Sequence, residues 1–142
     1  MINVEKSRGF TLTELMFTVA IVIILAALAI PNYRGHVLRT NRTDATAALM
    51  RIAAEQEKFY LQNNTYTNDL GAAGLNVGGA SASKNYALAV ANADLQGYDA
   101  TATAKGSQAN DSTCAVFALD EQGQRTAEAD DHSDTSDLCW RN

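Results

Sequence analysis

The chain has little of what catalytic and nucleotide-binding sites require. Its 142 residues include two histidines, His36 in a helical pattern and His132 in an acidic tail, and no serine or cysteine is placed as a nucleophile beside them. The glycines at 71, 74, 78 and 79 form neither a phosphate loop nor a dinucleotide fingerprint. We therefore predict no enzymatic activity and no cofactor.

Proline is also scarce, with one residue in the chain, and the net charge of −5 is small. Hydrophobic residues make up 46% and charged residues 19%, proportions that exclude a disordered chain and suit one modest domain. Seven acids against one arginine lie between positions 120 and 137, so the acidity is local and nucleic-acid binding through bulk charge is unexpected. Acids 128–137 lack the spacing of a calcium loop, which predicts a solvated loop and no metal.

A long apolar segment lies near the start of the chain. Phe10 to Ile30 carries a single charge, Glu14, in 21 positions, and about 20 apolar residues suffice to span a bilayer as a helix. No small-residue signal cleavage site follows, and the chain runs on through Pro31. The segment is predicted to be a membrane-spanning helix, which leaves the position of Glu14 unexplained.

The helical pattern continues beyond the apolar segment. Apolar residues recur at helical spacing on one stripe, and charged residues between them are assigned to a solvated face. The stripe comprises Leu38, Ala45, Leu49, Ile52 and Phe59, and the solvated face comprises Arg39, Arg42, Asp44, Arg51, Glu55, Glu57 and Lys58. One helix of roughly 80 Å is predicted from Phe10 to about Gln62. Pro31 cannot donate to the carbonyl of Ala27, so a bend is expected there.

The remainder is predicted to form loops and strands. A long connection occupies positions 63–84, and alternating or β-branched segments follow it. The predicted strands are Tyr86–Val90, Tyr98–Ala104, Thr113–Leu119 and, after a turn at Asp120–Gly123, Gln124–Ala127. They would form a four-stranded antiparallel meander with one face on the helix stripe, because so small a sheet needs a covering layer.

Cys114 and Cys139 are the only cysteines. A pair suits an oxidising compartment, which places the part of the chain after the predicted helix, the head, outside the cytoplasm, while two buried thiols remain the alternative. Basic residues flank both ends of the apolar segment, so the positive-inside rule does not decide the orientation.

The N-terminal sequence resembles the prepilin motif of type IV pilins. The motif is Lys6-Ser7-Arg8-Gly9-Phe10-Thr11-Leu12-Thr13-Glu14-Leu15-Met16, followed by the apolar helix and Pro31. The resemblance implies a leader at 1–9, cut after Gly9 by a cytoplasmic-side peptidase, and N-methylation of Phe10. Thr13 departs from the family pattern, in which an apolar residue commonly precedes the glutamate.

Later segments look like the PilE-like branch of that family. They are Arg39–Asp44, Glu57–Tyr60, Tyr66–Leu70 and the ending Cys114-Ala-Val-Phe-Ala-Leu, Gly123, Cys139-Trp140-Arg141. The resemblance implies an α+β, type IV pilin-like fold: a long helix with a transmembrane half (10–30) and an amphipathic half (31–62), and a head (63–142) with a four-stranded sheet and a loop closed by a Cys114–Cys139 disulfide.

The implied function is that of a filament subunit. Pilins of this kind are held in the bacterial inner membrane with a periplasmic head and then assembled by a membrane platform into an extracellular pilus for twitching motility, adhesion or DNA uptake. Glu14 is expected to pair with the cleaved amine of Phe10 on a neighbouring subunit, because a carboxylate in a dry bundle needs a partner. The alternative for Glu14 is a favourable position in the helix dipole.

Three other functions stay open. A type II secretion pseudopilin shares the leader and the helix, and a membrane-anchored domain unconnected with filaments would keep its leader. A DNA-receptor minor pilin would need a basic, aromatic-lined strip on the head. The head beyond Gln62 has four basic residues, which ranks this reading low: Lys84, Lys105, Arg125 and Arg141.

Overall fold

A computed structural model describes residues 10–141, with Pro31 described in its backbone alone. One helix, α1 (Leu12–Asn63), matches the predicted helix within two residues at either end. The described residues fall into two compact units, one that ends at His36 and one that begins at Val37. The predicted cleavage junction at Gly9 lies outside the described residues.

The first unit is the apolar part of α1. The helix is long and apolar enough to cross a membrane, and none of its most apolar 18-residue stretch is buried in the single chain. Helical backbone continues through position 31. The bend expected at Pro31 stays a prediction.

The second unit contains the rest of α1 and an antiparallel sheet. The strands follow one another in the order β1-β2-β3-β4, as the sequence predicts. They are β1 (Tyr86–Ala91), β2 (Asp99–Ala104), β3 (Val116–Asp120) and β4 (Arg125–Glu128). β3 starts three positions later than predicted, because Cys114 still belongs to a turn in which its N–H donates to the carbonyl of Asp111 at 3.3 Å.

One face of the sheet covers the helix stripe. A row of paired residues crosses the sheet, Leu88 opposite Ala102, Ala102 opposite Phe117, and Phe117 opposite Ala127, and all four are buried. Three members of the stripe share this core and have no exposed surface, whereas Leu38 and Phe59 at its ends are half-buried. The fully buried stripe residues are Ala45, Leu49 and Ile52. The alternate residues of the strands and the helical stripe therefore contribute to the same core.

Two short helices and the disulfide complete the head. A 3-10 helix (Gly106–Asn110) follows β2, and α2 (Ser136–Cys139) follows β4; neither is predicted from the sequence. Cys114 and Cys139 are bonded to each other and both are buried. The bond closes the C-terminal loop, as the family resemblance implies.

Candidate assembly site

Glu14 closes a capping box at the start of α1. Its Oε2 accepts hydrogen bonds from the backbone N–H of Thr11 at 3.4 Å and from the Thr11 hydroxyl at 3.3 Å. The Thr11 Oγ1 accepts the N–H of Glu14 at 3.3 Å in return. Threonine followed three residues later by glutamate is the standard sequence signature of this cap, so the contact between Thr11 and Glu14, which the sequence analysis did not predict, is recognisable from local sequence.

Among the described residues, nothing covers the apolar side chains around this part of the helix, which are exposed. Phe10 is 82% exposed and Val19, the least exposed large one between positions 10 and 30, is 49% exposed. One face carries a shallow apolar groove of about 330 Å³, lined by Leu15, Met16, Val19, Ala20 and Ile23. A helix that is apolar on all sides must be covered by lipid or by other helices.

Polar side chains within the apolar part of α1 are satisfied locally. The Thr18 hydroxyl donates to the carbonyl of Leu15 at 2.8 Å, and the Asn32 amide donates to the carbonyl of Leu28 at 3.2 Å. Both bonds keep polar atoms on their own helix. Between Leu12 and Ile30, Glu14 is therefore the one charged group presented to the surroundings.

A buried ion pair anchors the 3-10 helix to α1. Arg42 donates from Nε to Asp111 Oδ2 at 2.7 Å and from Nη2 to Oδ1 at 2.8 Å, a bidentate geometry. The prediction that Arg42 lies on the solvated face is wrong, since the residue is only 8% exposed. Its partner is 69 positions away in sequence, so helical periodicity alone could not reveal the pair.

Gln108 extends this pair into a network. Its Nε2 donates to the carbonyl of Leu38 at 3.0 Å and to Asp111 Oδ2 at 3.3 Å, while its Oε1 accepts from the Asn41 amide at 3.1 Å. Gln108 is completely buried. The network fixes the segment after β2 against the helix in the second unit.

The sequence-predicted sites therefore fall into two groups. Phe10 and Glu14 lie in the first unit, and Cys114 and Cys139 are brought together in the second. Processing at Gly9, methylation at Phe10 and the intersubunit role of Glu14 stay predictions.

Two protein-family profiles match the chain. A profile described as "Type IV minor pilin ComP, DNA uptake sequence receptor" matches residues 31–118, and one described as "Prokaryotic N-terminal methylation motif" matches residues 5–30. Together they cover the helix and most of the sheet.

Curated relatives point the same way. The chain is 36% identical over 94 residues to the "Type IV wide pilus major component PilA4" of Thermus thermophilus, which covers 66% of this chain and 71% of that protein. It is 33% identical over 61 residues to the "Type II secretion system core protein G" of Pectobacterium carotovorum, covering 43% of this chain and 39% of that protein.

A solved structure supports the fold. The chain resembles the Neisseria meningitidis non-core minor pilin PilV with a TM-score of 0.53 and 17% identity, over 69% of this chain and 93% of that one. This chain has a long N-terminal helix, a four-stranded antiparallel sheet and a C-terminal disulfide. The chain belongs to the type IV pilin family.

Proposed function

We propose that the chain is a structural subunit of a type IV pilus, and that it polymerises through the apolar part of α1. The observation that carries this proposal is the uncovered apolar surface of residues 10–30. A bundle of such helices would replace lipid with similar side chains, so transfer from membrane to filament costs little hydrophobic free energy. The role is structural, without catalysis.

Glu14 sets the register of the bundle in this proposal. Cleavage after Gly9 would leave the α-amine of Phe10, which is charged at neutral pH and stays charged after methylation. The Glu14 carboxylate would leave a fully solvated or lipid-facing environment for a dry one, where a neighbour's ammonium is its natural partner. Among the described residues no cation forms an ion pair with this carboxylate, whose contacts are those with Thr11.

The experiment separates the charge of Glu14 from its capping role. Glu14→Gln keeps an oxygen that can accept the Thr11 N–H, because glutamine also serves in capping boxes, but it removes the charge. Thr11→Ala removes the cap and keeps the charge. We expect Glu14→Gln to reach normal membrane levels and to be depleted about tenfold from sheared filaments, as the loss of a charge-assisted contact implies. Thr11→Ala should enter filaments at near wild-type levels.

Each variant is checked for processing by intact mass before filaments are compared. Equal incorporation of Glu14→Gln and wild type would refute the charge pairing. Depletion of Thr11→Ala to the level of Glu14→Gln would show that filament entry also requires the helix cap, so the charge of Glu14 alone would not account for assembly. A chain whose deletion abolishes secretion and leaves surface piliation intact would be a pseudopilin.

The finer cellular details belong to the same proposal. The head is periplasmic before assembly and extracellular afterwards, the leader peptidase acts on the cytoplasmic side, and an inner-membrane platform extracts the subunit. The disulfide supports a head outside the cytoplasm, since disulfides persist in oxidising compartments.

A second candidate function, DNA binding by the head, is favoured by the profile that matches residues 31–118, whose description names a DNA uptake sequence receptor. Two exposed lysines flank the same end of the sheet: the N–H of Lys105 donates to the carbonyl of Asn85 at 2.9 Å, next to Lys84. Two cations make a small electrostatic footprint for a duplex.

Salt-dependent binding tests this second function. If Lys84 and Lys105 contact phosphates, the affinity of the full chain in micelles for duplex DNA should fall with salt at a logarithmic slope of about −1.8. The double variant Lys84→Ala/Lys105→Ala should lose this salt dependence. Absence of saturable binding at low salt, or an unchanged slope in the double variant, would exclude this surface.

A further inference from the structure

A small groove lies where α1, the connection that follows it and β1 meet. Its volume is about 150 Å³. We call this space the 44/51 groove, after Asp44 and Arg51, the first and last residues of α1 that line it. Apart from Ser81, its other lining residues are apolar: Ala47, Ala48, Val77, Ala80, Ala82 and Leu88. Benzene fits a cavity of about 150 Å³, and a leucine side chain is smaller, so the groove has room for one leucine.

The two charged residues give the 44/51 groove opposite charges at its ends. They are seven positions apart on α1, about 10 Å at 1.5 Å per residue. The Arg51 guanidinium donates to the carbonyl of Asn76 at 3.4 Å, and the Asp44 carboxylate accepts the hydroxyl of Ser81 at 2.6 Å. Neither charge forms an ion pair with a described residue. The groove therefore offers a positive end, an apolar middle and a negative end.

The short helix α2 carries the complementary pattern. Leu138 is 59% exposed, although it adjoins Cys139, which is buried in the disulfide. Asp137 before it and Arg141 after it are both exposed, and neither forms an ion pair with a described residue. The order is acidic, apolar and basic. Because the disulfide already holds α2 in place, little conformational freedom would be lost when this surface docks.

The 44/51 groove and α2 lie at opposite edges of the sheet. Leu88 of edge strand β1 lines the groove, whereas Ser136 of α2 accepts the N–H of Ala127 in edge strand β4 at 2.9 Å. α2 contributes no residue to the groove of its own chain. A contact between opposite edges of two copies is heterologous, so each pair leaves one groove and one α2 free, and the contact can repeat along a filament.

We propose that the 44/51 groove binds α2 of a second copy of this chain. Leu138 fills the apolar middle of the groove. Asp137 pairs with Arg51 of the other copy. Arg141 pairs with Asp44, and the long side chains of the two arginines let charges one helical turn apart on α2 reach the wider spacing on α1. The inference rests on the proposed polymerisation, since it adds a contact between heads to the helix bundle of the same filament.

Charge reversal tests whether the contact joins separate chains. We expect Arg51→Glu and Asp137→Arg each to reach normal membrane levels and to be depleted about tenfold from sheared filaments, because like charges then face each other. Cells that express both single variants should recover filaments, since each chain then has a complementary neighbour. The double variant Arg51→Glu/Asp137→Arg should also recover them.

Matched variants locate the contact. Leu138→Ala should lower incorporation about fivefold. Leu61→Ala truncates a leucine that is 84% exposed outside the groove and should not. Ala47→Leu adds a side chain to the groove without removing one, so it should exclude α2 and also lower incorporation. Lys105→Glu makes the same change of charge as Arg51→Glu outside the groove and should leave incorporation unchanged.

Recovery of the double variant without recovery in the mixed cells would place the charge pair within one chain and overturn the proposal. Wild-type incorporation of Arg51→Glu would overturn it as well. Equal depletion by Lys105→Glu would show diffuse attraction between heads, and equal depletion by Leu61→Ala would show a general need for exposed leucine. Either result would refute docking at the groove.

The head contact and the polymerisation proposal fail separately. When unlabelled full chain is added to isotopically labelled full chain in detergent micelles, backbone amide shifts should centre on Ala47, Arg51 and Leu138. Such shifts from a chain that forms no filaments would support the head contact and refute polymerisation. Filaments that tolerate every groove variant would support polymerisation and refute the head contact.

Discussion

Arg42 is a charged residue whose burial is not apparent from the sequence. A charged residue between apolar helix positions is normally solvated, and Arg39 and Arg51 on the same helix are indeed exposed. Arg42 is buried because Asp111 accepts two hydrogen bonds from it and Gln108 supports the carboxylate. The pair holds the segment after β2 against α1, and its formation removes two charges from water.

Removing one partner of this pair should be far more harmful than removing both. We expect Asp111→Ala to lower the free energy of unfolding by about 3–5 kcal/mol, since Arg42 is left as an unpaired buried cation. Arg42→Leu/Asp111→Ala should recover a large part of that loss. Urea unfolding of the chain in micelles, followed by tryptophan fluorescence from Trp140, measures both. A double variant less stable than Asp111→Ala would contradict this account.

Gln56 offers a second residue-scale prediction. It is completely buried, and its amide pairs with one residue of the long connection, donating to the Thr67 carbonyl at 2.7 Å and accepting the Thr67 N–H at 3.1 Å. Gln56→Ala should cost about 1–3 kcal/mol, because two partly buried backbone groups lose their partner. Faster hydrogen exchange at Thr67 would locate the effect, and exposed Gln62→Ala serves as the control.

These residues mark the limit of sequence reasoning at this scale. Thr11 and Glu14 carried a recognisable capping signature, so their contact was predictable from local sequence alone. Arg42 with Asp111, and Gln56 with Thr67, depend on how the chain returns to the helix. A surface cleft of about 370 Å³ likewise brings residues of α1 and of the β3–β4 turn together with Tyr98, which precedes β2, and no local pattern connects them.

At the scale of elements, length and periodicity decided what could be foreseen. α1 has an unbroken apolar segment followed by a helical stripe, and the strands alternate, so both were predicted. The 3-10 helix (Gly106–Asn110) and α2 (Ser136–Cys139) are each about one turn long. So short an element shows no periodicity, and its conformation depends on contacts such as the disulfide and the Gln108 network.

The acidic C-terminal loop is organised by its own carboxylates. Asp131 Oδ1 accepts the N–H of Ser133 at 3.0 Å, and Asp134 Oδ1 accepts the N–H of Ser136 at 2.9 Å. Hydrogen bonds from the serine side chains, and then from their backbone, lower the pKa of Asp131 and of Asp134 from the ordinary value of 3.8. The ionised forms are therefore the ones that hold the loop.

The loop should consequently loosen in acid. Because both pKa values are lowered on folding, their stabilising effect is complete above pH 3.8 and is lost as the pH falls below it. We expect the amides of Ser133 and Ser136 to exchange faster, relative to the intrinsic rate, below this pH. Asp131→Asn keeps an acceptor oxygen without titrating and should flatten the profile at Ser133, while Asp137→Asn should not.

At the scale of the whole molecule, maturation is the first expectation to check. Cleavage after Gly9 would remove nine residues and leave a chain that starts at Phe10. Intact-mass measurement of the membrane-extracted protein should give this species with one extra methyl group. A membrane protein that retains Met1 would contradict the processing and, with it, the free amine that Glu14 is proposed to meet.

The disulfide has a mechanical consequence for a chain that carries load. If the chain were stretched between α1 and a point near residue 141, the tension would pass across the Cys114–Cys139 bond and bypass the 25-residue interval between them. At about 3.3–3.6 Å per extended residue, the bond withholds roughly 80–90 Å of contour length that the reduced chain would release. A stretched, oxidised subunit would therefore reach its limiting extension at a shorter length than a reduced one. The reduced subunit would unfold over this additional length before its backbone became taut.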